Sequence, residues 1–237
     1  YSRGDEFADV IVSNINTSID SVLLPTMSAE QDHRDRVRAM TRRAIKTSTY
    51  IMMPLMMGLA ICAEPIVRLI LTETWFPCVP YLRIFCFTYA FYPIHTANLN
   101  AIKAMGRSDM FLKLEIIKKV VGLIALFSSM WFGVIWMAYS LLFTTLVSSI
   151  VNAFPNRKLL GYSYFDQLRD MVPQICLSCV MGVVVYCIQF LGLRDIVTLI
   201  IQVVVGAVIY ISGSKLLKLE SFEYIWKMLM GILKRRG

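Results

Sequence analysis

The sequence predicts an all-α polytopic membrane protein with about seven transmembrane helices, and three observations lead to this fold class. Hydrophobic residues make up 57% of the 237 residues and charged residues 17%, whereas soluble domains average about 45–50% and about 25%. Apolar runs of the length that crosses the hydrocarbon core recur along the chain. Basic residues gather between alternate runs, as expected if successive helices cross a membrane in opposite directions.

The clear apolar runs cover residues 50–71, 81–102, 116–132, 134–154, 171–191 and 196–217. Pro54 and Pro65 are expected to interrupt the first run, and Pro93 lies in the middle of the second. The third and fourth runs predict a tight helical hairpin around Gly133. Residues 222–236 place apolar and basic side chains at helical spacing, which favours an amphipathic helix in the headgroup region over an ordinary polar tail.

The basic residues provide an orientation. Twenty of the 24 Lys and Arg residues lie at 32–46, 103–119, 157–169 and 215–236. If the apolar helices alternate, all four regions fall on one side, which the positive-inside rule makes cytoplasmic. The C-terminus is then cytoplasmic as well. The net charge of +8 thus predicts basic loops and no nucleic-acid partner.

A polar stretch precedes the first basic region. Asp9, Ser13, Asn16 and Asp20 step by four, three and four residues and so share one helix face, with Thr17 beside them. The segment must end at the cytoplasmic side and is long enough to span. We predict a seventh helix whose polar face lines a cavity, because an ionised Asp against lipid is strongly unfavourable. The alternative is a soluble amphipathic helix before the membrane domain.

His95 and Asn98 form a second polar site inside an apolar run, near Lys103. His95 is either a proton- or substrate-contacting side chain or a hydrogen-bonded packing residue. Lys103 is either a phosphate contact or an interface anchor. The sequence contains no nucleophile elbow, P-loop or zinc-protease motif, so we expect neither an enzyme nor a metal site. The Cys176–Cys179 pair reads as small packing residues of a helix.

Several stretches resemble the C-terminal half of bacterial polysaccharide-export flippases of the O-antigen type, within the multidrug, oligosaccharidyl-lipid and polysaccharide exporter superfamily. They are "YSRGDEFADVIVSNINTSIDSVLLPTMS", "MTRRAIK", "EPIVRLILTETWFPCVPYLRIFCFTYAFYPIHTANLNAIKAMGRSDMFLKLEIIKK" and "VNAFPNRKLLGYSY". The specific resemblance runs from residue 1 to about residue 164. Beyond that point only generic apolar helices and a basic tail continue it.

The resemblance implies two lobes of about six helices around a V-shaped cavity, often with two extra C-terminal helices. Residues 1–155 would form the C-terminal lobe with about five transmembrane helices. Residues 156–217 would add a cytoplasmic loop and two helices, and residues 218–237 an amphipathic basic cytoplasmic tail. A chain that starts at Tyr1 and lacks a signal peptide is expected to be a fragment without its N-terminal lobe.

The implied function is transport of oligosaccharide repeat units linked to undecaprenyl pyrophosphate across the bacterial inner membrane by alternating access. The cargo would serve surface polysaccharide or lipopolysaccharide O-antigen synthesis. Asp9, Ser13, Asn16, Thr17, Asp20, His95 and Asn98 are the substrate-cavity candidates, and Arg3, Lys103 and Arg107 are the phosphate-contact candidates. No cofactor is expected, although a proton or sodium ion could drive transport.

The expected partners are the lipid-linked oligosaccharide, membrane lipids, the missing N-terminal lobe and polysaccharide polymerase or export machinery. Two alternatives remain within the superfamily, a drug/cation antiporter and a peptidoglycan-precursor flippase. A third, from another class, is a non-transporting membrane scaffold of polysaccharide synthesis, in which the polar stripe would pack against protein.

Overall fold

The computed structural model describes residues 5–6, 9, 12–13, 21, 23–71 and 73–236, and the side chains of all of these except 229 and 231–236. Within that part of the chain the fold is helical without strands, as predicted. The longer helices are α1 (Arg34–Ile61), α2 (Ala63–Leu71), α3 (Val79–Ala90), α4 (Tyr92–Ala104), α5 (Ser108–Met130), α6 (Val134–Leu159), α7 (Tyr164–Ile188), α8 (Asp195–Leu216) and α9 (Glu220–Arg236). Short 3-10 helices cover Glu73–Cys78 and Gln189–Leu191.

Helix α1 is the centre of the bundle and packs against α3, α4, α7 and α9. It begins at Arg34, so the expectation of a loop over residues 32–46 was wrong. Arg, Ala, Met and Lys are strong helix formers, and here they continue the apolar helix outward for three turns. The basic residues of this region therefore lie on a rigid helix and not on a loop.

Pro54 does not interrupt α1, contrary to the prediction. A proline in a helix interior has no N–H to donate to the carbonyl four residues earlier, which here is that of Tyr50. The Tyr210 hydroxyl of α8 donates to this carbonyl at 2.9 Å. A neighbouring helix thus satisfies the group that Pro54 leaves free, as is usual for prolines in membrane helices.

The remaining turns follow the local sequence. Helix α1 ends at Ile61, and α2 starts as a separate helix just before Pro65. The second apolar run is broken at Phe91, and Pro93 lies in the first turn of α4, where a proline is tolerated. Gly133 has a φ of 101° between α5 and α6, which confirms the predicted hairpin turn.

Contacts of charged side chains mark the two ends of the bundle. At one end, called the basic end here, Arg34 of α1 donates to the carbonyls of Lys158 and Leu159 at 2.7 and 2.6 Å. At the opposite end Arg83 lies 2.9 Å from Glu64 and Arg68 lies 3.9 Å from Asp195. These charged side chains lie at the helix ends, as expected for alternating transmembrane helices. Helix α5 is an exception, because Glu115, Lys118 and Lys119 lie in its middle turns, where Lys118 pairs with Glu115 at 2.5 Å.

Four helical stretches of the described chain are long and apolar enough to cross a membrane: Arg34–Ile61, Val134–Leu159, Tyr164–Leu191 and Asp195–Leu216. Helices α3 and α4, of 12 and 13 residues, are each shorter than the length that spans a bilayer. Helix α5 is also long enough to span, at about 1.5 Å per residue, and apolar side chains such as Ile116, Ile124 and Phe127 are exposed on it. Such surfaces are suited to lipid, and the chain is a multi-pass membrane protein.

The pairing of Tyr210 with Pro54 leads to a double-mutant test. Tyr210→Phe should lower the free energy of unfolding by about 0.6–1.7 kcal/mol, the range for hydrogen bonds between membrane helices. Pro54→Ala provides a backbone N–H for the Tyr50 carbonyl, so Tyr210→Phe should be nearly neutral in that background.

Unfolding of the single and double variants by denaturant in detergent would measure the coupling. Tyr186→Phe, on an exposed face of α7, is the matched control. Equal losses from Tyr210→Phe with and without Pro54 would contradict this account of the helix.

Candidate functional site

The N-terminal segment has an outward polar face in the part that the structure describes. Asp9 and Ser13 are helical and exposed, whereas Val12 between them is buried. Asp9 and Ser13 therefore lie on the exposed side of the segment and Val12 on its packed side. That arrangement is consistent with a polar face that meets water or another segment.

Asn16, Thr17, Asp20 and Arg3 lie outside the described residues. Their membership of the same polar face rests on helical spacing alone, so this remains a prediction. The described residues at either side, Ser13 and Ser21, are helical and exposed.

A hydrogen bond connects this segment to α3. The Tyr89 hydroxyl donates to the Asp5 carboxylate at 2.7 Å. The centroid of the Tyr89 ring lies 6.0 Å from that of Tyr92. The Tyr92 centroid in turn lies 5.7 Å from that of the His95 ring. The polar segment thus lies beside the break between α3 and α4, where a line of ring side chains leads into the bundle.

His95 is buried between α4 and α6. Its Nε2 lies 3.1 Å from the Thr145 carbonyl, and its Nδ1 lies 2.9 Å from the Asn152 side-chain nitrogen. An amide nitrogen can only donate, so Nδ1 accepts and Nε2 carries the proton. Both ring nitrogens have protein partners, which is the packing alternative that the sequence left open for this residue.

Asn98 lies at the centre of a second buried network. Its amide nitrogen donates to Gln167 Oε1 at 2.7 Å, and Gln167 Nε2 donates to Asn98 Oδ1 at 3.0 Å. Asn156 donates to the same Oδ1 at 2.6 Å. All three side chains are completely buried. The network therefore joins α4, α6 and α7, and it shields Asn98 from solvent.

Sequence reasoning missed three partners in these networks, Asn152, Asn156 and Gln167. Asn152 and Asn156 stand four residues apart at the end of an apolar run, so they share a helix face. Polar residues at that spacing in a membrane helix face the bundle interior, which was the available signal. Asn156 was missed because residues after 155 were expected to form a loop, whereas Asn152 lies within the predicted helical run 134–154.

Two of the predicted phosphate contacts lie exposed near the turn between α4 and α5. The Lys103 ammonium lies over the Phe111 ring at 4.7 Å from its centroid. The Arg107 guanidinium pairs with Asp109, with Nε 3.2 Å from Oδ1. Both groups are within reach of solvent or a headgroup layer, and their role toward a phosphate stays a prediction.

A cluster of charges joins α1 to α7 and α9 at the basic end. Arg42 makes two hydrogen bonds to Asp170, at 2.8 and 2.7 Å, and the Tyr162 hydroxyl donates to the same carboxylate at 2.8 Å. Lys46 lies 3.7 Å from Asp170 and 2.6 Å from Glu220. The Lys46 ammonium holds the pKa of Glu220 below its usual range. This ionic cluster fixes the start of α9 against α1.

No group of three His, Cys, Asp or Glu side chains that could hold a metal ion is found in the described part of the chain. Cys176 and Cys179 are exposed free cysteines of α7. The described residues thus offer a ligand hydrogen-bonding groups and charged groups.

The Asn98 network is open to a test of its energetics. Asn98→Leu should lower the free energy of unfolding by about 1–3 kcal/mol, because it leaves buried groups of Gln167 and Asn156 without partners. Adding Gln167→Leu removes one of these stranded groups. The double variant should therefore lose less than the two single losses combined.

Denaturant unfolding of the two single variants and the double variant measures this coupling. Additive losses would show that the two amides do not act as a pair.

Comparison with known proteins places these features in a family context. Residues 1–80 match a family model described as polysaccharide biosynthesis protein. An "uncharacterized membrane protein in cps region" of Klebsiella pneumoniae is 24% identical over 213 residues, which cover 86% of this chain and 44% of that protein.

The solved structure of the lipid II flippase MurJ, in an inward closed conformation, has the same fold. The TM-score between the two structures is 0.76, and their sequences are 18% identical. The match covers 90% of this chain and 45% of the MurJ chain. The chain therefore spans a little under half the length of both relatives. These matches agree with the resemblance drawn from the sequence: residues 1–80 are similar to polysaccharide biosynthesis proteins, the chain is similar to a membrane protein of a cps region, and its fold is that of the solved flippase.

Proposed function

We propose that this chain forms one lobe of a flippase that moves lipid-linked oligosaccharide repeat units across the bacterial inner membrane for surface polysaccharide synthesis. The polar face of the N-terminal segment carries the proposal, because it lies within residues 1–80, which match the polysaccharide biosynthesis model. Its described members Asp9 and Ser13 are exposed on the surface of this chain. The basic end then faces the cytoplasm.

The cargo's chemistry fits such a face. Sugar hydroxyls require hydrogen-bond donors and acceptors, and carboxylates, amides and hydroxyls provide both. On a helix in the membrane these groups are tolerated where they face a water-filled cavity. Asp9, Ser13, Asn16, Thr17 and Asp20 would meet the sugars there, opposite the second lobe.

The pyrophosphate of the cargo requires cations. Lys103 and Arg107 are exposed near the α4–α5 turn, and Arg3 belongs to the same set of candidates. Rocking of the two lobes would alternate access to the cavity, as in secondary transporters built from repeats. A proton or sodium ion would drive the cycle.

His95 and Asn98 have a different place in this proposal. Their polar atoms bond to Thr145, Asn152 and Gln167, so they hold α4 against α6 and α7 and shape the wall behind the cavity. We assign them to lobe rigidity and leave cargo contact to the N-terminal segment.

A peptidoglycan-precursor flippase is the second candidate, and the fold match to the lipid II flippase MurJ favours it. Complementation separates the two candidates. The full-length protein should restore surface polysaccharide in a strain that lacks its own repeat-unit flippase. Rescue of a strain without its lipid II flippase, but not of the first strain, would support the second candidate.

The polar face can be tested in the full-length protein. Asp9→Asn, Asn16→Ala and Asp20→Asn, combined, should lower surface polysaccharide by about tenfold or more, because charge-assisted hydrogen bonds contribute about 1.5–3 kcal/mol each. Immunoblotting of membranes should show unchanged protein. Glu223→Gln, an exposed carboxylate of α9, is the matched control and should keep wild-type polysaccharide.

Unchanged polysaccharide in the triple variant would contradict the proposed role of this face. A loss accompanied by depleted protein would trace the effect to folding, and the single variants would then be compared at matched protein amounts.

A further inference from the structure

A pocket of about 490 Å³ opens between α1 and the start of α9 at the basic end. Four basic side chains, those of Arg38, Arg42, Arg43 and Lys46, line it together with two acidic ones. Such an excess of positive charge around a concave site favours an anionic ligand.

Two of these cations are already neutralised, and two are not. Arg42 and Lys46 pair with Asp170 and Glu220. Arg38 and Arg43 have no carboxylate within ion-pair distance in the part of the chain that the structure describes. The Arg43 guanidinium is held over the Tyr224 ring, 5.1 Å from its centroid. Stacking orients the plane of this side chain and leaves its edge free to donate.

A buried hydroxyl in the same pocket lacks a partner. Ser221 lines the pocket and is 3% exposed, and its Oγ has no hydrogen-bond partner among the described residues. Two other buried hydroxyls of the described chain, those of Thr49 and Ser178, also lack a partner, but neither lines this pocket. Ser221 combines an unsatisfied hydroxyl with a place in the pocket wall, which calls for an explanation. Ser221 is the second residue of α9, where the positive end of the helix dipole also favours an anion.

We propose that this pocket is a binding site for a phosphate group, in which Arg38 and Arg43 provide charge and the Ser221 hydroxyl donates a hydrogen bond. Arginine forks match phosphate oxygens with paired donors, and a phosphate has enough acceptors for all three side chains. The phosphate comes either from an anionic phospholipid headgroup or from free phosphate in solution. The site is independent of the function proposed above.

The experiment uses the full-length protein in detergent at constant ionic strength. Dihexanoyl phosphatidylglycerol and inorganic phosphate are titrated separately, and binding is measured by microscale thermophoresis. Saturable binding of the lipid alone assigns the site to a headgroup, and comparable binding of inorganic phosphate assigns it to free phosphate. Absence of saturable binding by both probes would overturn the proposal.

Substitutions of the pocket residues test whether the phosphate probes bind at this pocket. Arg38→Gln combined with Arg43→Gln should weaken binding by about tenfold or more, because hydrogen bonds to charged groups are lost. Ser221→Ala should weaken it by about threefold to tenfold. Its melting temperature should stay unchanged or rise, since the hydroxyl has no hydrogen-bond partner among the described residues of the unliganded protein.

Arg157→Gln is the matched control, since Arg157 is exposed and lies near the end of α6, outside the pocket lining. Its affinity should stay within about twofold of the wild type. The proposal fails if Arg157→Gln weakens binding as much as the double variant, or if the pocket variants bind like the wild type.

Discussion

The exclusion of charge from hydrocarbon is the constraint on which the rest of this structure depends. An ionised side chain in the bilayer centre is strongly unfavourable, so the charges of a polytopic chain must collect at the two ends of its helices. In this structure the charged groups at the helix ends also make contacts between helices. Arg34 donates to the last carbonyls of α6, and Arg42 and Lys46 join α1 to α7 and α9. The opposite end is held by Arg83 with Glu64. Charge thus sets both the direction of each helix and the partners it meets at its ends.

The same constraint acts on uncharged polar groups inside the bundle. Without water in the hydrocarbon, a polar group without a partner is unfavourable, so most of them pair within the protein, although the hydroxyls of Thr49 and Ser178 have no partner among the described residues. The Tyr50 carbonyl, freed by Pro54, receives the Tyr210 hydroxyl. Asn98 finds its partners on two other helices. These bonds contribute little energy each, but they fix which helix faces meet. The described helices are therefore joined by specific polar contacts in their interior.

Local chemistry explains which features the sequence could predict. The α5–α6 hairpin follows from Gly133 and the apolar runs around it, so it needs no distant information. The continuity of α1 through Pro54 depends on Tyr210, 160 residues beyond Tyr50, and no local pattern contains that contact. The hydrogen bond between His95 and Asn152 likewise joins separate helices. The spacing of polar residues along each helix could show that both side chains face the bundle interior. It could not show that they contact each other. The basic start of α1 reads as a loop by composition, although its residues are good helix formers.

The central claim is that the polar face of the N-terminal segment lines a water-filled path, and cysteine accessibility tests it most directly. Asp9→Cys, Ser13→Cys, Asn16→Cys and Asp20→Cys would each be placed in the full-length protein with its native cysteines replaced, and labelled with a charged methanethiosulfonate reagent in intact membranes. The account predicts that all four positions label, while Ile124→Cys on the exposed apolar face of α5 does not. Protection of all four from the reagent would mean that the face packs dry against protein, and would contradict the account.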